Sequence, residues 1–455
     1  MSILTAAIER LGHADALAVS GRIATMRGLT IEAHGLPAPV GALAAIHTTS
    51  GDRLAEVVGF TGTGTILMLL GSAQGICAGD RVTLLQSSPT VQVSDDLLGR
   101  VIDALGNPID GQPRRGTGTP VDIHPEPIQP LQRRPIAEPL HTGIKPIDVM
   151  TPIGLGQRVG IFAGPGVGKS TLLGMIARNT DADVNVIALI GERGREVREF
   201  LLHALGDAGL QRSVVVAATS EQSPVIRTRA AHVAASIAEY FRDQGKSVML
   251  MVDSVTRFAH AQRQIGLSIG EPPATRGYTP SVFAALPTLL ERAGAVEPQG
   301  DKPAGAVTAF YTTLVEGDDM TEPVADAVRG ILDGHIILSR ALAQKAHFPA
   351  IDPLDSVSRV ADAVAPRPHI HARNIITRLL SAYRDSEELI NIGAYAPGSN
   401  PTTDAAINLK PRIDDLLQQV HTDQAAADAA VHTAMEIAAD AERIINRPAL
   451  AARTA

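Results

Sequence analysis

Between Arg158 and Ser254 the chain alternates continuous apolar runs with helical patterns, and no other feature restricts its fold so strongly. RVGIFAG (158–164), VNVIALIG (184–191), SVVVAATS (213–220) and SVMLMVDS (247–254) read as buried strands without polar alternation. STLLGMIARNT (170–180), REVREFLLHAL (195–205) and VIRTRAAHVAASIAEYFRD (225–243) have the length and composition of helices. Apolar strands alternating with helices predict a parallel sheet covered on both faces. Ligands of such sheets gather at the carboxyl ends of the strands.

The flanking regions read differently. Residues 2–12 set Leu4, Ile8 and Leu11 on one helical face, with Glu9 and Arg10 opposite. Periodicity alone makes this a cap on the next domain or a docking helix. Short β-rich runs punctuated by Gly follow (RIATMRGLTIEAHGL, LAEVVGFTGTGTILML, DRVTLLQ), predicting a small antiparallel barrel. Ten of the 30 prolines then fall between Pro108 and Pro152, which predicts extended chain leading into a new domain. After Pro366 the chain becomes helical and Ala-rich, ending in an amphipathic stretch near Val431–Asn446.

Composition excludes several classes. With 455 residues, 45% of them hydrophobic, the chain can bury the cores of roughly three domains at ~150 residues each. Forty Lys and Arg against 48 Asp and Glu give a net charge of −8, which argues against bulk electrostatic binding to nucleic acid or anionic membrane. The single cysteine, Cys77, rules out a disulfide framework and reads as a small buried residue in a reducing compartment. The start carries Glu9 and Asp15 with no long apolar core, so it is not expected to be a signal peptide. The apolar stretch near Ile66–Leu70 is too short to span a bilayer. A cytoplasmic location is expected.

Ala163–Ser170 reads A-G-P-G-V-G-K-S, which departs from G-x-x-x-x-G-K-[ST] only in its first residue. Gly164, Pro165, Gly166, Val167 and Gly168 form a loop whose backbone N–H groups can cradle phosphate. Lys169 supplies a point charge, the Ser170 hydroxyl can ligate Mg²⁺, and Thr171 continues into the helix whose positive end faces the same anion. The loop lies between a predicted strand and a predicted helix, where that chemistry requires it. Glu192 directly follows the second strand, where a carboxylate could activate water; a first-turn helix acid is an equal reading of its position. Asp253 ends the strand SVMLMVD, the place of an acid that holds Mg²⁺ through water. Arg359 reads locally as a surface arginine. His369 and His371, in a Pro-flanked linker without nearby Cys or carboxylate clusters, read as structural.

Several of these stretches together resemble the rotary ATPase α/β family: GPGVGKST, LIGERGREVREF, MVDSVTRFAHAQR and the distinctive PAIDPLDSVS (Pro349–Ser358). GEPPATRGYTPSVF (Gly270–Phe283), VEGDDMTEPVAD (Val315–Asp326) and INIGAYAPGSNP (Ile390–Pro401) are similar to the flagellar export ATPase, with the virulence type III secretion ATPase a near relative. The resemblance runs from about Gly99 to Leu409 and is weaker in the barrel. It implies an α/β fold: a RecA-like P-loop ATPase core with a parallel sheet (94–365), behind an N-terminal helix (1–18) and a small β-barrel (19–93), and before a C-terminal helical domain (366–455). It implies ATP as substrate, with Mg²⁺. It makes Glu192 the catalytic glutamate, Arg193 its neighbouring arginine, Asp253 the Mg²⁺-associated aspartate and Arg359 an arginine finger inserted into a neighbouring subunit's site. Phe348 becomes the aromatic that packs on adenine. Implied partners are a homo-hexamer, a stator-like regulator on the Leu4, Ile8 and Leu11 face, a central stalk protein facing the Glu271–Pro280 loop, a membrane export gate, and export substrates with their chaperones. The implied location is the cytoplasmic face of the inner membrane.

Three rivals are weaker. A non-catalytic nucleotide-binding subunit would lack a carboxylate at position 192. An RNA-translocating hexamer needs a stacking platform and a basic groove. Residues 1–90 hold one aromatic, Phe60, no Lys, and five Arg against six acidic residues, so nucleic acid is not expected as a partner. The catalytic subunit of ATP synthase shares the acidic cluster in YRDSEELI (383–390), but the EPPATRGYTP and NIGAYAPGSNP strings fit the export enzyme better. Flagellar export ranks first and virulence secretion second.

Overall fold

The computed structural model describes residues 19–446 except 115, 299, 301–302, 316 and 318. The expected docking face at Leu4, Ile8 and Leu11 lies outside the described residues.

Six strands, β1 (Ser20–Arg27), β2 (Thr30–His34), β3 (Leu43–Thr48), β4 (Gly51–Phe60), β5 (Thr65–Leu69) and β6 (Arg81–Gln86), close into an antiparallel barrel in the order β1-β2-β5-β4-β3-β6. Closure leaves no free edge. Its core is built from Ile23, Ile31, Ile46, Val57, Leu67 and Val82 interleaved with the small Ala33, Ala44 and Ala55. Small residues let so narrow a barrel fill without aromatics. Cys77 is exposed rather than buried. It sits in the turn before β6, between Gly75 (φ 86°) and Gly79 (φ 89°), and its N–H donates to Asp80 Oδ2 at 2.8 Å. Turn geometry overrides the usual burial of cysteine there.

The segment rich in proline is mostly irregular, as its composition predicts. β7 (Thr90–Val93), β8 (Arg100–Ile102) and β9 (Thr119–Asp122) frame its start; β7 pairs with β9, whereas β8 joins the main sheet. β10 (Pro139–Leu140) pairs with β11 (Ile153–Gly154), and between them the short helix Lys145–Met150 carries Pro146 in its first turn, where no N–H is missed.

The main sheet adds β12 (Arg158–Ala163), β13 (Val184–Glu192), β14 (Ser213–Thr219), β15 (Ser247–Asp253), β16 (Gly294–Val296), β17 (Gly305–Leu314), β18 (Gly334–Leu338) and β19 (Ile351–Ser358). The order is β19-β18-β12-β17-β15-β13-β14-β8, with β16 on β17. All pairings are parallel except those of β16 and β19. Both faces are covered. Val186, Ala188 and Ile190 of β13 pack with the helices Pro224–Arg242 and Val255–Ser268, while Ile187 and Leu189 pack with the helix Lys169–Asn179. That two-residue alternation assigns each strand residue to a face even though both faces are apolar.

Three helices, Arg367–Asn391, Pro401–Leu417 and Ala427–Ile445, bury their own apolar cluster and dock on Val149 and Met150. His369 and His371 lie in the opening turns of the first of these helices, not in a linker, because Pro366 caps it and Pro368 occupies its first turn. Both are structural: His369 is buried against Val149 O at 2.8 Å, and His371 meets Glu442 at 2.9 Å. Among the described residues, no helix is long and apolar enough to cross a membrane.

Candidate active site

Four successive parallel strands of the sheet, β12, β17, β15 and β13, end on one side, and three of them, β12, β15 and β13, bring the predicted site residues there. The loop after β12 turns through Gly166 (φ 79°) and Gly168 (φ 95°), left-handed positions that disfavour any side chain. Gly168 caps the helix Lys169–Asn179, so the helix N-terminus opens onto the loop. Val167 is buried and anchors the loop, whereas Pro165, Gly166, Ser170 and Thr171 are exposed; Gly164 is buried at the end of β12.

Lys169 Nζ reaches between two carboxylates. It contacts Asp253 Oδ1 and lies 3.6 Å from Glu192 Oε1. Asp253 is 2% exposed at the end of β15, and Thr312 Oγ1 of β17 donates to the same Oδ1 at 2.7 Å. Glu192 is turned toward this group by an irregularity in β13: the ladder with β14 slips between Ile190 and Glu192, at Gly191 (φ 70°). A Cβ at Gly191 would stand 2.9 Å from Arg257 Cβ, so the turn also needs glycine for space. Burial pushes the Glu192 carboxyl up to about 7; Lys169 opposes that rise, and Asp253 and Glu196 add to it. A carboxylate so poised can accept a proton near neutral pH.

Phe348 is half-exposed beside the phosphate loop, its ring 4.0 Å from where a Cβ of Gly168 would stand. It lines a cleft of about 630 Å³ with Val167, Gly168, Thr171 and, from beyond the helix Pro401–Leu417, Gln418 and Val420. The other two named arginines are not brought to the cluster. Arg193 follows Glu192 in sequence but its side chain is 82% exposed, with Glu196 3.8 Å away. Arg359 is exposed just past β19. Ile351 pairs with Leu338 near the phosphate loop, whereas Ser358 pairs with Gly334 at the opposite end of the sheet. β18 crosses that span in four residues, so at ~3.3 Å per residue Ser358, next to Arg359, lies roughly 13 Å along the sheet from Ile351.

Sequence reasoning missed Thr312 and the stretch after Leu417. Thr312 lies in VTAFYTTLV beside the equally buried Thr308 and Thr313, so nothing local singles it out. Nothing local marks Gln418 or Val420, which reach the cleft only through tertiary packing.

Models of known families match this arrangement. The nucleotide-binding domain of the ATP synthase alpha/beta family matches residues 143–358, and the T3SS EscN ATPase C-terminal domain matches residues 365–436. The flagellum-specific ATP synthase of Bacillus subtilis (strain 168) is 51% identical over 90% of this chain and 93% of its own. The chain belongs to the family of flagellum-specific ATP synthases and type III secretion ATPases. The type 3 secretion system ATPase of Xanthomonas euvesicatoria is 48% identical over 90% of this chain and 91% of its own. The assembled ATPase EscN of enteropathogenic E. coli superposes with a TM-score of 0.86 at 42% identity, covering 92% of this chain and 100% of that one. As a member of this family the chain is an ATPase, and its substrate is a nucleotide.

Proposed function

We propose that this ATPase energises type III export of flagellar components, hydrolysing Mg²⁺·ATP at sites shared between the subunits of a homo-hexamer. The hydrolytic part of this reading rests on the convergence of Lys169, Glu192 and Asp253 on one phosphate-binding loop, and its flagellar part on the 51% identity to the flagellum-specific ATP synthase. In this reading the loop amides of Gly164, Gly166, Val167 and Gly168 and the Lys169 ammonium bind the β- and γ-phosphates. Glu192 accepts the proton of the attacking water and orients it in line. Thr312 holds the Asp253 carboxylate in place. Phe348 packs on the base.

The donor set fits magnesium. Ser170 and Asp253 offer hard oxygen ligands, and phosphate oxygens and water would complete an octahedral shell around the ion. The Ser170 hydroxyl would be its direct protein ligand, with Asp253 in the outer shell. Bound there, the ion neutralises charge on the phosphates.

Arg359 supports the shared-site reading, since it sits at the far end of β19 from its own loop and is free to serve a neighbour. Arg193 would act at the same interface. An arginine finger contributes ~10³–10⁵ in turnover. Specific ATPase activity is therefore expected to fall steeply on dilution below the assembly threshold, measured beside sedimentation; a monomer with full turnover would refute shared sites.

EscN is known in complex with its central stalk EscO, which supports a stalk protein as partner here, facing the Glu271–Pro280 loop. A stator-like regulator on residues 2–12, a membrane export gate, export substrates and their chaperones complete the proposed assembly, at the cytoplasmic face of the inner membrane. Virulence secretion is the second reading, favoured by the identity to the Xanthomonas ATPase. Deletion of the gene separates the two: lost motility supports flagellar export, and lost effector secretion with intact motility supports the other.

A further inference from the structure

The loop that carries Phe348 is tied down at both ends by a single helix. Three residues before Phe348, Lys345 Nζ donates to Glu387 Oε1 at 2.8 Å. Four residues after it, Asp352 accepts from Arg384 Nη2 at both oxygens, at 2.6 and 2.7 Å. Arg384 Nη1 also reaches Asp355 Oδ1 at 3.3 Å. Arg384 and Glu387 are three residues apart on the helix Arg367–Asn391, hence on one face. A further tie comes from the same helical region, where Gln419 N–H donates to Phe348 O at 3.0 Å.

These ties differ in weight. Lys345 and Glu387 are exposed, and such pairs contribute little. Asp352 is buried and is a node of the local structure. Its Oδ1 also accepts from Leu354 N at 3.0 Å and Asp355 N at 3.3 Å, and its carbonyl accepts from Ser356 Oγ at 2.6 Å. Ser356 Oγ in turn accepts from Ile337 N of β18 at 3.0 Å. One nitrogen, Nη2, serves both Asp352 oxygens while Nη1 goes to Asp355, so the planar guanidinium holds two carboxylates at a fixed separation, which a lysine's single nitrogen cannot.

We propose that Arg384 is a positioning residue for the nucleotide: through Asp352 it sets the course of the Lys345–Asp352 loop, and so the distance of Phe348 from the phosphate loop. The helical region thereby determines nucleotide affinity without contributing Arg384 itself to the cleft. This rests on the reading of Phe348 as the residue that packs on the base.

The chain has no tryptophan, so Phe348→Trp places a single emission reporter in the full-length protein. ADP is expected to change that emission; an active Phe348→Trp enzyme whose emission ignores ADP would overturn the base reading, and this proposal with it. In Arg384→Ala, added to the reporter, the ADP dissociation constant and the KM for ATP are expected to rise about tenfold, with kcat changed less than twofold. Arg384→Lys should recover part of that loss. Arg384→Ala alone leaves Asp352 buried and unpaired, so Arg384→Ala with Asp352→Asn is made alongside it. That double variant should keep the raised KM while melting with the wild type. An unchanged KM and dissociation constant in a folded variant, or a fall in kcat at constant KM, would overturn the positioning role.

Discussion

Lys169 stands between two acids of unequal surroundings, and that inequality divides their work. Asp253 is enclosed and holds a hydroxyl donor, so it keeps a fixed place. Glu192 is desolvated and surrounded by further carboxylates, so it holds its proton up to about pH 7. As a base it acts only when ionised, and kcat/KM for ATP, which reports the free enzyme, is expected to rise with pH through an apparent pKa near 7. Glu192→Gln should remove that rising limb and lower turnover by ~10²–10⁴. A limb that survives the substitution would assign the titration to another group. At this scale the sequence was most legible where chemistry demands fixed spacing: Lys169 and Ser170 follow from the glycines around them and Asp253 from its strand end, whereas Glu192 read equally as a first-turn helix acid and took its role only from the family resemblance. Thr312 was hidden because three threonines, Thr308, Thr312 and Thr313, share its strand and nothing local tells them apart. Cys77 was misread because a preference for burial says nothing about the turn in which the residue sits.

Elements were legible where a period or a run of apolar residues specifies them; their neighbours in space were not. The strands at 158, 184, 213 and 247 stand out, but nothing in their sequence tells that β17 would insert between β12 and β15, or that β8 would extend the sheet. Strand order depends on which crossover helices pack, a sum over many distant contacts. The contact between barrel and sheet is likewise tertiary. Arg229, on the helix Pro224–Arg242, is buried and pairs with Glu56 of β4 at 3.1 Å, with further bonds to Ala104 O and Thr90 O. Burial pushes the Glu56 carboxyl up to about 7, against the pull of Arg229. The folded chain therefore holds this proton more tightly than the unfolded one, whose value is 4.5. Stability from this group is full below that value and is lost as pH rises toward 7. Arg229→Ala strands a buried carboxylate and is expected to cost about 3–5 kcal/mol by urea unfolding at pH 8. Glu56→Gln with Arg229→Met should recover most of it and flatten the pH dependence; a double variant as unstable as the single one would mean that Arg229 acts through its backbone partners instead.

For the whole molecule, the question is whether one chain can complete a site. Its lysine and acids lie at one end of the sheet, and Arg359 lies at the other end of an edge strand. If the lysine of one copy meets the arginine of the next, the contact is heterologous, and repetition gives a ring where the rotation closes. If so, the two functions are separable between copies. Lys169→Ala subunits and Arg359→Ala subunits should each be nearly inactive as pure assemblies. Mixed in equal amounts, dissociated and reassembled at random, about one interface in four joins an intact lysine to an intact arginine. Turnover near a quarter of the wild type is then expected if sites fire independently, and less if they must fire in sequence. Recovery should follow the mixing ratio with a maximum at equal amounts. A mixture no more active than its components, in rings shown by mass to contain both subunits, would place the arginine and the lysine in the same chain's site. That outcome would require β19 to leave the sheet edge where it now pairs with β18.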